Sequence, residues 1–253
     1  MSIIKFGEKG SDSFAVPESL SQSIARFLEE KIIEGEMEAG TRLVPEEIAE
    51  SLTVSKSPVR EALLSLQKEN LVSNIARVGF FVAEIRAEDI DEIYPIRAAL
   101  ISLTVQIIIA KEFEPDFLEG MGAIVEQMRL CAQKEDVEGY FYGNVKLYNL
   151  YAEACPNLRL NDLNRQLGKQ VLRFRRLGMA LPGRIQRSFQ LNEMLVRAIV
   201  DRNAVQATQT VEQIISEGAH AIKQQIESGS KNKSIKNNKR PNYNAKRNRD
   251  VAG

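Results

Sequence analysis

The stretch "TVSKSPVREAL", Thr53 to Leu63, sets two serines, a lysine, a proline and an arginine at the front of a helix-periodic run. Val59, Leu63 and Leu66 fall at i, i+4 and i+7 and make one apolar stripe, while Lys56, Arg60 and Gln67 line a second face. Ser55 or Ser57 is the expected N-cap, because a serine oxygen accepts a bond from the free N–H groups of the first turn. Asn70 closes the helix, since asparagine tolerates the left-handed backbone of a helix stop.

Upstream, Ile24, Phe27, Leu28, Ile32 and Ile33 recur at helical spacing between Leu20 and Glu34, and Gly35 is the natural stop. "EMEAGTRLV" reads as a turn, and Pro45 then suits the first position of a short helix carrying Ile48, Ala49 and Leu52. Downstream, "LVSNI" and "FFVAEI" are β-prone runs joined through "ARVG", a hairpin by pattern. The expected unit is three short helices and a small β-hairpin over residues 18–85, behind a flexible leader over 1–17.

From Ala87 to Glu227 the pattern is helical, with breaks at Pro115, near Asp136, at "CPN" (155–157), at "LPG" (181–183) and at Arg202–Asn203. This predicts an all-α bundle of six or seven helices over 87–227, its first helix kinked or divided at Pro95. The fold class is mainly α, with a winged helix-turn-helix in front and a helical bundle behind. The apolar run Ala98 to Ala110 is too short for a bilayer and is interrupted by Ser102, Thr104 and Gln106, so it reads as a buried helix.

Lys plus Arg and Asp plus Glu both total 34, but residues 228–253 hold eight basic residues and one acidic. The rest therefore carries 26 basic against 33 acidic, a net of −7. The tail is rich in Asn, Lys, Arg and Ser and is expected to be disordered; it is either a solubilising extension or a weak phosphate-seeking arm. Nothing at the N-terminus marks the chain for export, and the isolated Cys131 and Cys155 fit reduced thiols, so a cytoplasmic protein without a membrane partner is expected.

Two helices joined by a tight turn, the second starting with hydroxyls and cations, can feed a helix N-terminus into the DNA major groove. Ser55 and Ser57 can bond phosphates or base edges, Lys56 neutralises phosphate, and Arg60 can grip guanine O6 and N7. Arg77 at the hairpin tip can reach the neighbouring minor groove or backbone. The blander reading is a surface helix with capping serines and outward charges. The assembly of all these parts within about 65 residues is what favours DNA.

Residues 32–85 resemble the winged-helix domain of GntR-type transcription regulators, through "GTRLVPEEIAESLTVSKSPVREAL", "ENLV" and "GFFV". "AEDIDEIYPIRAALISL" is similar to the start of the FCD effector domain of the FadR subfamily. The resemblance implies a DNA-binding regulator, expected to be a repressor, acting as a homodimer on a palindromic operator and controlled by a small metabolite. It departs at three points: the family usually has Arg at Glu46, Arg at Lys56 and Gly at Thr53. A differently specified DNA site is the expected consequence, because lysine lacks arginine's planar fork.

Many FCD domains hold a divalent metal between an Asp and three His. The resemblance puts Asn144, Tyr148, Asn192 and Ile214 at those positions, and the chain has one histidine, His220. Amide, phenol and alkyl groups are poor ligands, so no metal and no other cofactor is expected. Arg97, Asn144, Tyr148 and Asn192 are the candidate effector-binding residues, able to hold a carboxylate or a neutral polar molecule; alternatively they satisfy one another in a buried network. Lys169, Arg173, Arg175 and Arg176 read as a solvated face, with an acyl-CoA phosphate site as the other possibility. Glycine-rich phosphate loops and Cys/His catalytic pairings are missing, so no catalytic residues are assigned and an enzyme is not expected. A constitutive DNA-binding regulator without effector is the alternative function.

Overall fold

The computed structural model describes residues 18–84 and 86–238, with side chains as far as 228. Helix α1 (Leu20–Glu34) starts on a capping box, in which the Ser19 hydroxyl accepts from the Gln22 N–H and Gln22 answers through its side chain. It stops at Gly35, whose φ of 81° is the left-handed conformation that glycine adopts without steric cost. Helix α2 (Pro45–Ser51) begins on its proline, and α3 (Lys56–Lys68) buries Val59, Ala62, Leu63 and Leu66. Asn70 is left-handed at φ 58°, as expected of the helix stop.

Strands β2 (Val72–Ile75) and β3 (Gly79–Val82) form the hairpin, with Ile75 opposite Gly79 and Val72 opposite Val82. The segment read as a plain turn contains a third strand, β1 (Arg42–Leu43), paired antiparallel to β3 through Arg42↔Phe81 and Leu43↔Phe80. The sheet order is β1-β3-β2. Two residues are too few for an alternating pattern to show, and the strand exists because its partner edge does. Leu43, Phe80 and Val82 then join Ile24, Leu28, Leu63 and Leu66 in one core.

The helical part comprises α4 (Ala87–Ile109), α5 (Pro115–Gln133), α6 (Val137–Ala154), α7 (Leu158–Met179), α8 (Arg184–Val200) and α9 (Ala204–Asn238). Its core is separate, with Tyr140, Leu147, Val171, Leu191, Leu195 and Val211 at most 1% exposed. Pro95 does not divide α4, which stays one 23-residue element with Ile90, Tyr94, Arg97 and Ile101 buried on either side of it. By length and composition α4 could cross a membrane, and one side of it, with Ile90, Ile101, Val105 and Ile108, is buried in the bundle core. Cys131 and Cys155 are free thiols.

Helix α9 runs to Asn238, so residues 228–238 are helical where a disordered tail was expected. Adding residues to an already nucleated helix costs little, and composition alone does not reveal that nucleus. Residues 239–253 and the leader over 1–17 lie outside the described residues, as does Ile85 at the expected domain boundary.

Candidate functional site

Ser55 takes the N-cap position of α3, with φ −76° and ψ 161°, yet its hydroxyl makes no capping bond. The first-turn N–H groups and the serine oxygen are thus left for an outside partner. Ser55, Lys56, Ser57, Arg60 and Arg77 are all exposed. Ser57 Oγ donates weakly to Glu61 at 3.5 Å, and Lys56 Nζ lies 3.3 Å from Glu46 Oε1. The backbone N–H of Glu46 itself, and then Lys56, hold the Glu46 carboxyl below its ordinary value.

The Arg60 guanidinium lies over the Phe80 ring at 5.9 Å, which holds the end of its long side chain beside β3. Arg77 sits at the hairpin tip with φ 65°. Arg42, overlooked in the sequence because β1 was, donates from Nη2 to the Val78 carbonyl at 3.0 Å. Arg42, Arg60 and Arg77 line one cleft of about 320 Å³ between α3 and the hairpin, with Glu46 and Asn74 on its walls. Three cations from three elements converge on one end of the head, which suits a phosphate backbone flanking a groove.

The second candidate site is internal. Tyr94, Arg97, Asn144, Tyr148, Arg175 and Ser188 line a small cavity of about 50 Å³ where α4, α6, α7, α8 and α9 meet. Ile214 lines it too. Arg97 is 5% exposed and stacks on Tyr94 at 5.1 Å. Arg175, read from sequence as part of a solvated face, turns into the bundle: its Nη2 donates to Asn144 Oδ1 at 2.6 Å, and its guanidinium lies 5.7 Å from the Tyr148 ring. Burial, and then the charge of Arg97, pull Arg175 down to about 10, so it remains a cation at neutral pH.

Asn192 is not in that lining. It is fully buried one layer behind, donating to the Ser188 carbonyl at 2.8 Å and to the Tyr140 hydroxyl at 3.4 Å. The fold thus brings Arg97, Asn144 and Tyr148 together and leaves Asn192 beside them. Arg97, Tyr148 and Arg175 also form one wall of a larger cavity of about 470 Å³ between α4, α6 and α7, which reaches Glu29 on α1. His220 is exposed on α9, beside Arg184, Arg187 and Glu217.

Two other cations of that cluster, Lys169 and Arg176, are not a solvated face either. Lys169 Nζ bonds Glu29 at 2.9 Å and Glu69 at 3.0 Å. Arg176 donates to the Glu34 carbonyl at 2.7 Å and to Glu138 at 2.9 Å. Spaced seven apart, Lys169 and Arg176 share the face of α7 turned to α1 and the end of α3, while Arg175 is rotated about 100° from Arg176.

Residues 20–82 match the bacterial regulatory proteins of the gntR family, and residues 92–217 match the FCD domain. The chain thus carries a GntR-family DNA-binding domain followed by an FCD domain. The uncharacterized HTH-type transcriptional regulator YdhC of Bacillus subtilis (strain 168) is 28% identical over 207 residues, covering 81% of this chain and 92% of that protein. The gluconate operon transcriptional repressor of the same organism is 29% identical over 134 residues, 53% of this chain and 54% of the repressor. The solved structure of E. coli McbR/YncC shares the fold, with a TM-score of 0.70 at 22% identity, over 82% of this chain and 99% of that one.

Members of the GntR family are DNA-binding transcription regulators, and an FCD domain implies a small-molecule effector. The departures from the GntR pattern now have physical content. Thr53 adopts φ 55°, a left-handed conformation that costs a β-branched residue about 1–2 kcal/mol and a glycine nothing. Glu46 stands beside Lys56 and takes up part of its charge. The FCD metal does not fit these residues: Asn144 already accepts from a guanidinium, a fixed cation stands where a second would have to come, and Tyr148 and Ile214 supply no strong donor. Among the described residues no group of three His, Cys, Asp or Glu side chains could hold an ion.

Proposed function

We propose that the protein is a cytoplasmic repressor of the FadR subfamily that binds a palindromic operator as a homodimer and is released or engaged by a small polar metabolite, an organic acid, held without a metal. The observation that carries this reading is the cationic end of the head, where Ser55, Lys56, Ser57, Arg60 and Arg77 are exposed around the open first turn of α3. One such turn contacts only a few base pairs, so two copies related by a twofold axis are needed for a specific site. Repression is supported by relatives known as repressors, the gluconate operon repressor above and the probable D-xylose utilization operon repressor of Paenarthrobacter nicotinovorans. A strip of Ile96, Ala99 and Leu103, exposed along one face of α4, is the kind of apolar surface a second copy covers.

Effector control is supported by α7, which carries Arg175 into the cavity and Lys169 and Arg176 onto the head. A ligand that rotates or shifts α7 acts on the cavity and on the head through the same rigid element. The test begins with selection of bound sequences from a random DNA pool. The recovered sites are expected to be inverted repeats, bound with a steep salt dependence, and Arg60→Ala is expected to lose the specific shift in a gel assay while keeping the helical circular-dichroism spectrum. Undiminished binding by that variant refutes the assignment.

A further inference from the structure

We propose that Arg97 and Arg175 together form a metal-free site for a small oxyanion carrying two negative charges, in which the Arg175 guanidinium supplies the positive charge that a divalent ion supplies in metal-holding FCD domains. This names the ligand class of the cavity discussed above, and so rests on that cavity being the effector site.

The argument is one of charge and of hydrogen-bonding groups. The cavity lining includes the buried guanidinium of Arg97 and the half-buried one of Arg175, and no carboxylate. Arg184 at its edge is already matched by Glu217, 3.5 Å away, which also binds Arg187. Burying like charges together is costly unless something of opposite sign joins them. Asn144 answers one donor of Arg175 and is neutral, so it bonds the guanidinium without balancing its charge. The buried Tyr148 hydroxyl, in the same lining, has no hydrogen-bond partner among the described residues. A network that merely satisfied itself would not leave that group idle.

Two guanidinium forks and a phenol match an oxyanion, since arginine presents paired N–H donors to carboxylate or phosphate. Two negative charges balance the two arginines. The inner cavity has room for the charged group itself, while the adjoining space of about 470 Å³, sharing Arg97, Tyr148 and Arg175 as its wall, has room for a carbon skeleton. Its polar groups there include Asn164, which donates to Thr104 at 2.9 Å.

The experiment uses the full chain in EDTA and a phosphate-free buffer, with the unfolding midpoint followed at matched ionic strength. Malonate or inorganic phosphate at about 10 mM is expected to raise the midpoint by several degrees, acetate by less, and neutral malonamide not at all. Whichever dianion acts at lower concentration tells a dicarboxylate from a phosphorylated ligand. Arg97→Gln and Arg175→Gln are expected to abolish the rise. Because loss of a core cation can unfold the chain, Asn144→Asp is the second variant: its carboxylate neutralises Arg175 in place, so the protein folds and its apparent affinity for the anion drops at least about tenfold. The proposal is overturned if malonamide acts as well as malonate, if the anions act only after zinc or nickel is added, if Asn144→Asp binds them like the parent, or if none acts. Should no anion act while Arg60-dependent operator binding persists, the site falls and the regulator reading stands; anion binding by a protein that selects no DNA has the opposite meaning.

Discussion

The two regions of this molecule use arginine and lysine in opposite ways. In the winged-helix head, Lys56 keeps 68% of its side chain in water, and Arg60 and Arg77 are likewise exposed. In the helical domain Arg97 is 5% exposed and Arg175 is drawn far enough from solvent to lose basicity. A solvated cation costs little, so its presence alone says little, and its role rests on position at the end of α3 and on the hairpin. A buried cation is expensive, so its survival calls for a partner of opposite charge. The head offers charge to something large outside, and the bundle keeps charge for something small inside.

The sharpest way to break this contrast is at Arg60. If Arg60 reads a base pair, Arg60→Ala is expected to cost about 1–3 kcal/mol per half-site, measured by titration against the selected operator, with no change in thermal midpoint. A fall in stability without a fall in specificity would make it a packing residue on Phe80. The next effect concerns the joint between the regions. Lys169→Met removes both ion pairs to Glu29 and Glu69 and is expected to destabilise the attachment of the head by about 1 kcal/mol. Hydrogen exchange should then quicken in α1 while α8 stays protected; uniform behaviour would mean that the two regions do not communicate through α7.

Thr53→Gly relieves the left-handed threonine but adds unfolded-state entropy, so a net gain of about 0.5–1 kcal/mol is expected in denaturant unfolding. That gain belongs to the head alone and leaves anion binding untouched. The smallest effect is at Glu46. Glu46→Gln frees Lys56, and operator affinity at low salt is expected to rise a few-fold, with a salt slope steeper by up to about one phosphate contact. An unchanged slope would show that Lys56 does not meet the backbone.

Legibility followed the range of the contacts. Helix α3, its left-handed stop at Asn70 and the β2–β3 hairpin could be read because each depends on residues within about four positions. Strand β1 could not, because its two residues are ordered by Phe80 and Phe81, nearly forty positions away, and Arg42 was lost with it. The cations of α7 were misread because a run of like residues looks like one solvated face, whereas helical rotation sends Lys169 and Arg176 to the head and Arg175 to the core. Asn192 lies on α8 behind Ser188 and outside the cavity lining, a difference of one layer that no spacing rule resolves. The helical stretch to Asn238 was hidden because composition describes the average state of a segment and not what it is attached to.

Helices α1 to α3 and the β2–β3 hairpin are written in consecutive residues as a short-range code of caps, stripes and turns, and so is the exposed cationic helix end that the code builds. Only the tertiary structure decided the interior of the bundle, because Arg97, Asn144 and Arg175 lie on three helices and acquire a common chemistry only when packing removes the water between them. Burial is a property of the whole fold, and it is burial that turns an ordinary arginine into a group with an unmet demand for an anion.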